Sequence, residues 1–389
     1  MINEFFANEN YGGSLFYYLF EFSNYIFVFL ISLACLKLKK INQTEFYLFQ
    51  IIFLSTFLFN YFLISPRLFP DQFTYTYNFI YDPGGGLFSG DSWLPNTKWV
   101  ASQFFNLIPI PLIMTITSLV WVSKVYLFLT FVWIKKYISD DRLIILFLLP
   151  SIILYSSVTL REIFIIVTTI IALIHILHNR FVLGIIFTCL VATLKIQNGL
   201  FILVFWLLSI IYRISSNNIF LLFILILGFI LAILVQDIFL QVISTYRTAF
   251  LAENLLGWDY NFDISESELL QITSYLDFLY ISAQKIPEFI FLPLPWQWEG
   301  LFFIIQFLEA VFIVYLFGII FFQHNLYKNK QFYTLFLAFL FGLTVYSVIT
   351  ANIGTAIRYR FSFYFPYLIA FYSMHEKIIG KRLLFFGRF

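Results

Sequence analysis

Residues 300–322 read GLFFIIQFLEAVFIVYLFGIIFF, with Glu309 as the one charged side chain in 23 positions. Coiled as an α-helix at about 1.5 Å per residue, such a run reaches roughly 34 Å, and the hydrocarbon core of a bilayer is about 30 Å thick. Lipid offers no water to satisfy backbone N–H and C=O groups, so a helix that pairs its own groups is the structure this stretch can adopt there. Comparable apolar runs recur at 14–36, 46–64, 110–134, 143–158, 162–178, 181–195, 199–213, 219–238, 332–350 and 361–374. Together they predict about eleven transmembrane helices. The 389-residue chain is 61% hydrophobic and 11% charged, with a mean hydropathy of +0.89, a balance foreign to soluble globular proteins. The predicted fold is all-α: a polytopic integral membrane helical bundle, with 1–389 as one membrane domain.

The start, MINEFFANENYGG, is acidic and polar where a cleavable signal would be basic, so the first span is expected to be retained. Cys35 and Cys189 both fall in or at the end of predicted spans, which supports neither a disulfide framework nor a thiolate metal site. With the N-terminus outside, fourteen of the 23 Lys and Arg lie on inner connections or the C-terminal tail. Eight (Arg67, Lys98, Arg161, Lys195, Arg247, Lys285, Arg358 and Arg360) lie outside, and Lys124 is mid-span. This is the positive-inside bias, and the reversed topology would invert it. The two long connections, 65–109 and 239–299, then both face the periplasm or exterior, whereas the inner connections are short.

In the first long loop, DPGGGLFSGDSWLPN (82–96) has the glycines of a phosphate-binding loop but neither the Lys-Ser/Thr end nor the strand-to-helix setting. It reads as a surface turn. NLIPIPLIM (106–114), with Pro109 and Pro111, reads as a kinked or re-entrant approach to the third span. In the second loop, DISESELLQITSYLDFLY (263–280) predicts an amphipathic helix beginning near Ser265 and lying on the membrane surface.

Three short outward turns hold four cations: Arg161 after PSIILYSSVTL, Lys195 in TLKIQNGL, and Arg358 and Arg360 in TANIGTAIRYRFSFYFPYL (350–368). Such side chains can snorkel to headgroups or cap helix ends. Several cations at one depth, against the positive-inside bias, also suit an anion with several oxygens, such as a diphosphate. Arg358 and Arg360 would share a face if Gly354 leaves the segment extended, and would diverge by about 160° on a helix. Among the outer carboxylates, Asp71 in SPRLFPDQFTY closely follows the second span and is the preferred general base. Glu162 reads as a partner of Arg161 or a helix N-terminal charge. His175, His178, His324 and His375 all map inside, so an outward site has no histidine base. No HExxH, cysteine pair or Ser-His-Asp ordering occurs, so neither a metal nor another cofactor is expected. Lys124, Glu21 and Glu309 fall within spans, where they would pair with one another or line a proton or ion path.

With these motifs the chain resembles the Wzy-type O-antigen polymerases. The resemblance rests on the span count, the basic inner turns, the large outer loop of the second half, and the Arg-containing outward turns. It implies a bacterial inner-membrane glycosyltransferase, multi-pass, working at the periplasmic face without a metal. Its substrate would be an undecaprenyl-diphosphate-linked glycan, its other partners the lipid bilayer, a flippase and a chain-length regulator, and nucleic acid would not be among them. By resemblance, Arg161, Arg358 and Arg360 would serve substrate binding and activity; the chemistry of the residues themselves adds Asp71 as the base that activates the acceptor hydroxyl. Lys195, Arg247, Arg67, Gln197 and Tyr359 would contact substrate. The related ligases carry a histidine in the large loop; none occurs in 239–299. The alternatives are another membrane glycosyltransferase of the GT-C-like kind, using a polyprenyl-phosphate sugar, and a lipid-linked oligosaccharide transporter or flippase.

Overall fold

Asn42 ends one apolar stretch and begins another. Its Oδ1 accepts from the Glu45 N–H at 2.8 Å while Glu45 Oε2 accepts from the Asn42 N–H at 2.8 Å, so two N–H groups that the helix itself leaves unpaired are satisfied reciprocally. Glu45 also holds Lys135 Nζ at 2.6 Å. The start of one helix is thereby fastened to the end of another by a largely desolvated ion pair.

A computed structural model describes residues 15–60, 71–80, 95–111, 116–140, 143–214, 236–237, 239–245, 247, 272, 274–298, 300–322, 329–350 and 353–379. Among these residues the regular structure is helical, without a β-strand. Among the described residues, four helices are long and apolar enough to cross a membrane: Thr117–Ile134, Ile196–Arg213, Leu301–Phe321 and Lys330–Ile349. The chain divides into two compact units, Met1–Thr168 with Leu190–Ile196, and Thr169–Cys189 with Gln197–Phe389.

The first unit contains α1 (Leu15–Lys37), α2 (Gln43–Leu58), α3 (Asp71–Ile80), α4 (Thr97–Asn106), α5 (Val120–Ile134, led in by a 3₁₀ turn at Ile116–Leu119), α6 (Leu143–Phe147) and α7 (Pro150–Tyr155). Its core is aromatic: Phe49 meets Phe128 and Phe131 at 5.0 Å between ring centroids, and Phe131 meets Phe147 at 5.1 Å. Lipid tails are as apolar as these rings, so the gain is close packing rather than escape from water. The segment 65–109 contains the helices α3 and α4, and α4 buries Ala101, Phe104 and Phe105. Phe105 packs edge-on against Phe164 at 4.7 Å, so α4 belongs to the core of the unit. One expectation changes here. The expected span 143–158 is broken into α6 and α7, because Pro150 has no N–H to continue a helix and starts a new one.

α8 (Glu162–Leu177), α9 (Phe181–Leu194) and α10 (Ile196–Ile214) follow. The second unit continues with α11 (Tyr275–Phe291), α12 (Leu301–Phe321), α13 (Lys330–Ile349) and α14 (Ile353–Ile379). Ser265 and most of the expected span 219–238 lie outside the described residues, as does Arg67. The helix described in the second long loop starts at Tyr275, where Ser274 Oγ accepts from the Asp277 N–H at 3.1 Å. Its partly buried face, with Phe278, Ile281 and Phe289, packs into the unit.

Gly342 on α13 permits a close approach to α14: a Cβ there would stand 2.5 Å from the Phe363 ring and 2.9 Å from Phe201. Overpacking of this kind costs about 1–3 kcal/mol. Gly342→Ala is therefore expected to lower the thermal midpoint of the detergent-solubilised protein by several degrees, although alanine is the better helix former. An unchanged midpoint would show that Phe363 can move aside.

Candidate functional site

Between α7 and α8 the backbone is irregular over residues 156–161, yet Ser156, Ser157, Val158, Thr159 and Leu160 are fully buried. A segment like this must find partners for its peptide groups outside any helix. Asn60 Nδ2 donates to the Ser157 carbonyl at 2.7 Å and to the Thr56 carbonyl at 3.0 Å. The Thr159 N–H donates to Gln72 Oε1 at 3.0 Å, and the Leu160 N–H to the Val158 carbonyl at 2.9 Å. Below the segment, Lys124 Nζ donates to Ser156 and Ser157 Oγ, both at 2.9 Å. Three side chains from α5, the end of α2 and α3 thus hold six residues in one conformation.

That conformation delivers Arg161 to the start of α8, where its carbonyl accepts the Ile165 N–H at 3.1 Å. The side chain is half-buried, and its Nε has no hydrogen-bond partner among the described residues. Glu162 is buried in the first helical turn. Asp71 is the first residue of α3 and half-buried. Its neighbour Gln72 is the group that grips Thr159, two residues before Arg161. Lys195, also in this unit, is buried in the break between α9 and α10, its N–H donating to the Val191 carbonyl at 2.7 Å.

The other predicted residues belong to the second unit. Residues 353–379 are one helix, Gly354 included, so Arg358 and Arg360 diverge rather than share a face. Arg360 is buried at 3% exposure. Its Nη1 donates to the Ile290 carbonyl at 2.9 Å and to that of Leu292, and Nη2 to the Gln306 carbonyl at 3.5 Å. It caps the end of α11, whose last carbonyls lack helical partners. Arg358 and Tyr359 are half-buried, the Tyr359 ring lying 5.5 Å from Tyr346. Tyr346 donates to Asn198 Oδ1, and Asn198 Nδ2 to the Ser362 carbonyl at 3.4 Å. Gln197, beside Asn198 in the first turn of α10, and Arg247 are half-buried.

The expectation that Lys124 pairs with an acid is corrected. Its four hydrogen-bond partners among the described residues are neutral oxygens: the Ile52 carbonyl and the hydroxyls of Ser55, Ser156 and Ser157. Glu21 accepts from Ser118 Oγ at 2.7 Å and from Trp121 Nε1 at 2.5 Å. Comparison of the chain with protein-family models, curated proteins and solved structures finds no match to any of them.

Proposed function

We propose that this chain is a membrane glycosyltransferase that joins undecaprenyl-diphosphate-linked oligosaccharide repeat units into O-antigen polysaccharide at the periplasmic face of the bacterial inner membrane. The observation that carries the reading is the buried, irregular segment 156–160, pinned by Asn60, Gln72 and Lys124, which ends on Arg161 beside the helix that begins with Asp71. Non-helical backbone at membrane depth is tolerated where it is enclosed by protein or lines a cavity. Broken helices of this kind commonly build substrate sites.

In the proposed reaction a non-reducing-end hydroxyl of the incoming unit attacks the anomeric carbon of the growing glycan. The bond from that carbon to the diphosphate oxygen breaks, and the lipid diphosphate leaves with the electron pair. Asp71 takes the hydroxyl proton, while Arg161 and Lys195 stabilise the charge gathering on the leaving group. Arg358, Arg247, Gln197 and Tyr359 are assigned to holding substrate in the second unit, and Arg360 to positioning it through the end of α11.

The topology proposed with this reaction has about eleven crossings and both long connections in the periplasm. Its support is that hydrogen bonds join residues assigned to the same side. Glu45 meets Lys135 on the inner side, and Lys377 and Gln331 meet the Leu177 carbonyl there too. Thr159 meets Gln72 on the outer side.

The test is complementation of a polymerase-deficient strain that carries the matching repeat-unit genes, read on the lipopolysaccharide ladder. The native chain is expected to restore the ladder. Asp71→Asn is expected to lower polymer formation by about 10²–10⁴-fold at unchanged protein level. A product of single repeats with the native protein present in the membrane would refute polymerisation.

A further inference from the structure

Lys124 has no part in the chemistry above, yet it is fully buried in the middle of the apolar helix Thr117–Ile134. Its Nζ is surrounded by oxygen: the Ile52 carbonyl at 2.7 Å, Ser156 and Ser157 Oγ at 2.9 Å, and Ser55 Oγ at 3.3 Å. Each hydroxyl has a backbone carbonyl in reach of its proton, and Ser55 and Ser157 Oγ also lie 3.2 Å from each other. Ser55 donates to the Ile52 carbonyl at 2.6 Å, Ser157 to the Ile153 carbonyl at 2.6 Å, and Ser156 to the same carbonyl at 3.2 Å. With their protons on these carbonyls, all three hydroxyls turn lone pairs towards Nζ. An ammonium has three N–H donors and no lone pair, which serve the three oxygens nearest to Nζ, those of Ile52, Ser156 and Ser157. A neutral amine would aim its own lone pair at oxygen lone pairs.

We propose that Ile52, Ser55, Ser156 and Ser157 form a site for a monovalent cation whose resident ion is the tethered ammonium of Lys124, and that a chain lacking this ammonium takes up an alkali-metal ion of similar size, K⁺ first, in the same cage. Hard cations are held by such neutral oxygens in proteins. The tether makes the occupant permanent, so the native chain holds the 156–161 segment without regard to the ions around it. The inference stands independently of the polymerase reading, because it concerns ion binding and stability alone.

The test uses the full chain in detergent. Thermal midpoints of the native protein, Lys124→Ala and Lys124→Met are measured in KCl, NaCl and choline chloride at equal ionic strength. Lys124→Ala is expected to melt lower than the native protein in choline chloride. It should then rise by about 3 °C or more as KCl is titrated, in a saturable manner. The native protein is expected to ignore the choice of salt. Lys124→Met, which fills the cage with an apolar stem, is expected to be destabilised and equally indifferent. Equal midpoints for Lys124→Ala in choline chloride and KCl would overturn the proposal, as would a Lys124→Met as stable as the native chain. K⁺ is abundant inside cells as the chain folds, so a Lys124→Ala that fails to accumulate in membranes would overturn it as well.

Discussion

Replacing Arg360 with methionine is expected to destabilise the second unit by about 1–3 kcal/mol, because two half-buried carbonyls lose their donor and an orphaned group costs up to roughly that much. The carbonyls are those of Ile290 and Leu292, at the end of α11. That end has no further turn to supply N–H groups, and a cation there also meets the negative end of the helix dipole. Methionine keeps the stem and its packing, so the loss isolates the guanidinium. Lysine keeps the charge but lacks the planar fork that spans two carbonyls, and should fall between the two. The measurement is the thermal midpoint in detergent, together with amide exchange over residues 286–292, which should accelerate. An Arg360→Met chain as stable as the native one, yet without polymer, would move Arg360 from positioning to direct contact with substrate.

Arg360 also shows where the sequence stopped being informative. Its spacing from Arg358 fits either a shared face or divergence, and Gly354 permits unwinding. The structure keeps a helix through both Gly354 and Pro366. One glycine costs a helix only about 1 kcal/mol, and packing against α12 and α13 outweighs it. The four span-length apolar helices were legible because hydropathy and length decide them. The break at Leu148–Leu149 was not, since an average over apolar side chains is blind to the missing N–H of Pro150; the proline itself was the available signal. The helices within 65–109 were hidden for a related reason. Turn formers crowd residues 82–96, while Asn96, at the end of that stretch, caps α4 by accepting from the Lys98 and Trp99 N–H groups. Ser274 likewise carries the Ser-x-x-Asp signature with Asp277. The cage around Lys124 joins positions 52, 55, 124, 156 and 157, and no local spacing announces a meeting of that kind. A lysine mid-span and a serine pair at the end of another apolar run were its only traces.

Arg161→Ala is expected to cut polymer formation by about 10²–10³-fold, the loss typical when a preorganised donor to developing charge is removed. It should do so without lowering the thermal midpoint. The second half of this expectation separates a substrate role from a structural one. Arg161 immediately precedes the first turn of α8, and the N-terminus of a helix carries partial positive charge, so an arginine there is repelled by about 0.3–1 kcal/mol. A residue kept for stability at that position would be Asp or Ser. Arg161 opposes the dipole, and its Nε has no hydrogen-bond partner among the described residues. The cation and the helix N-terminus would cease to conflict if an anion lay between them, since both attract it. Alanine should therefore leave the unliganded protein as stable as before or slightly more so, while the ladder collapses to short products. Arg161→Lys retains the charge but not the two-pronged contact to phosphate oxygens, and should recover only part of the yield. Unchanged polymer length and yield in Arg161→Lys would rule out the bidentate contact. A fall in midpoint of Arg161→Ala that matches its loss of activity would show that the residue supports the 156–161 segment rather than the reaction.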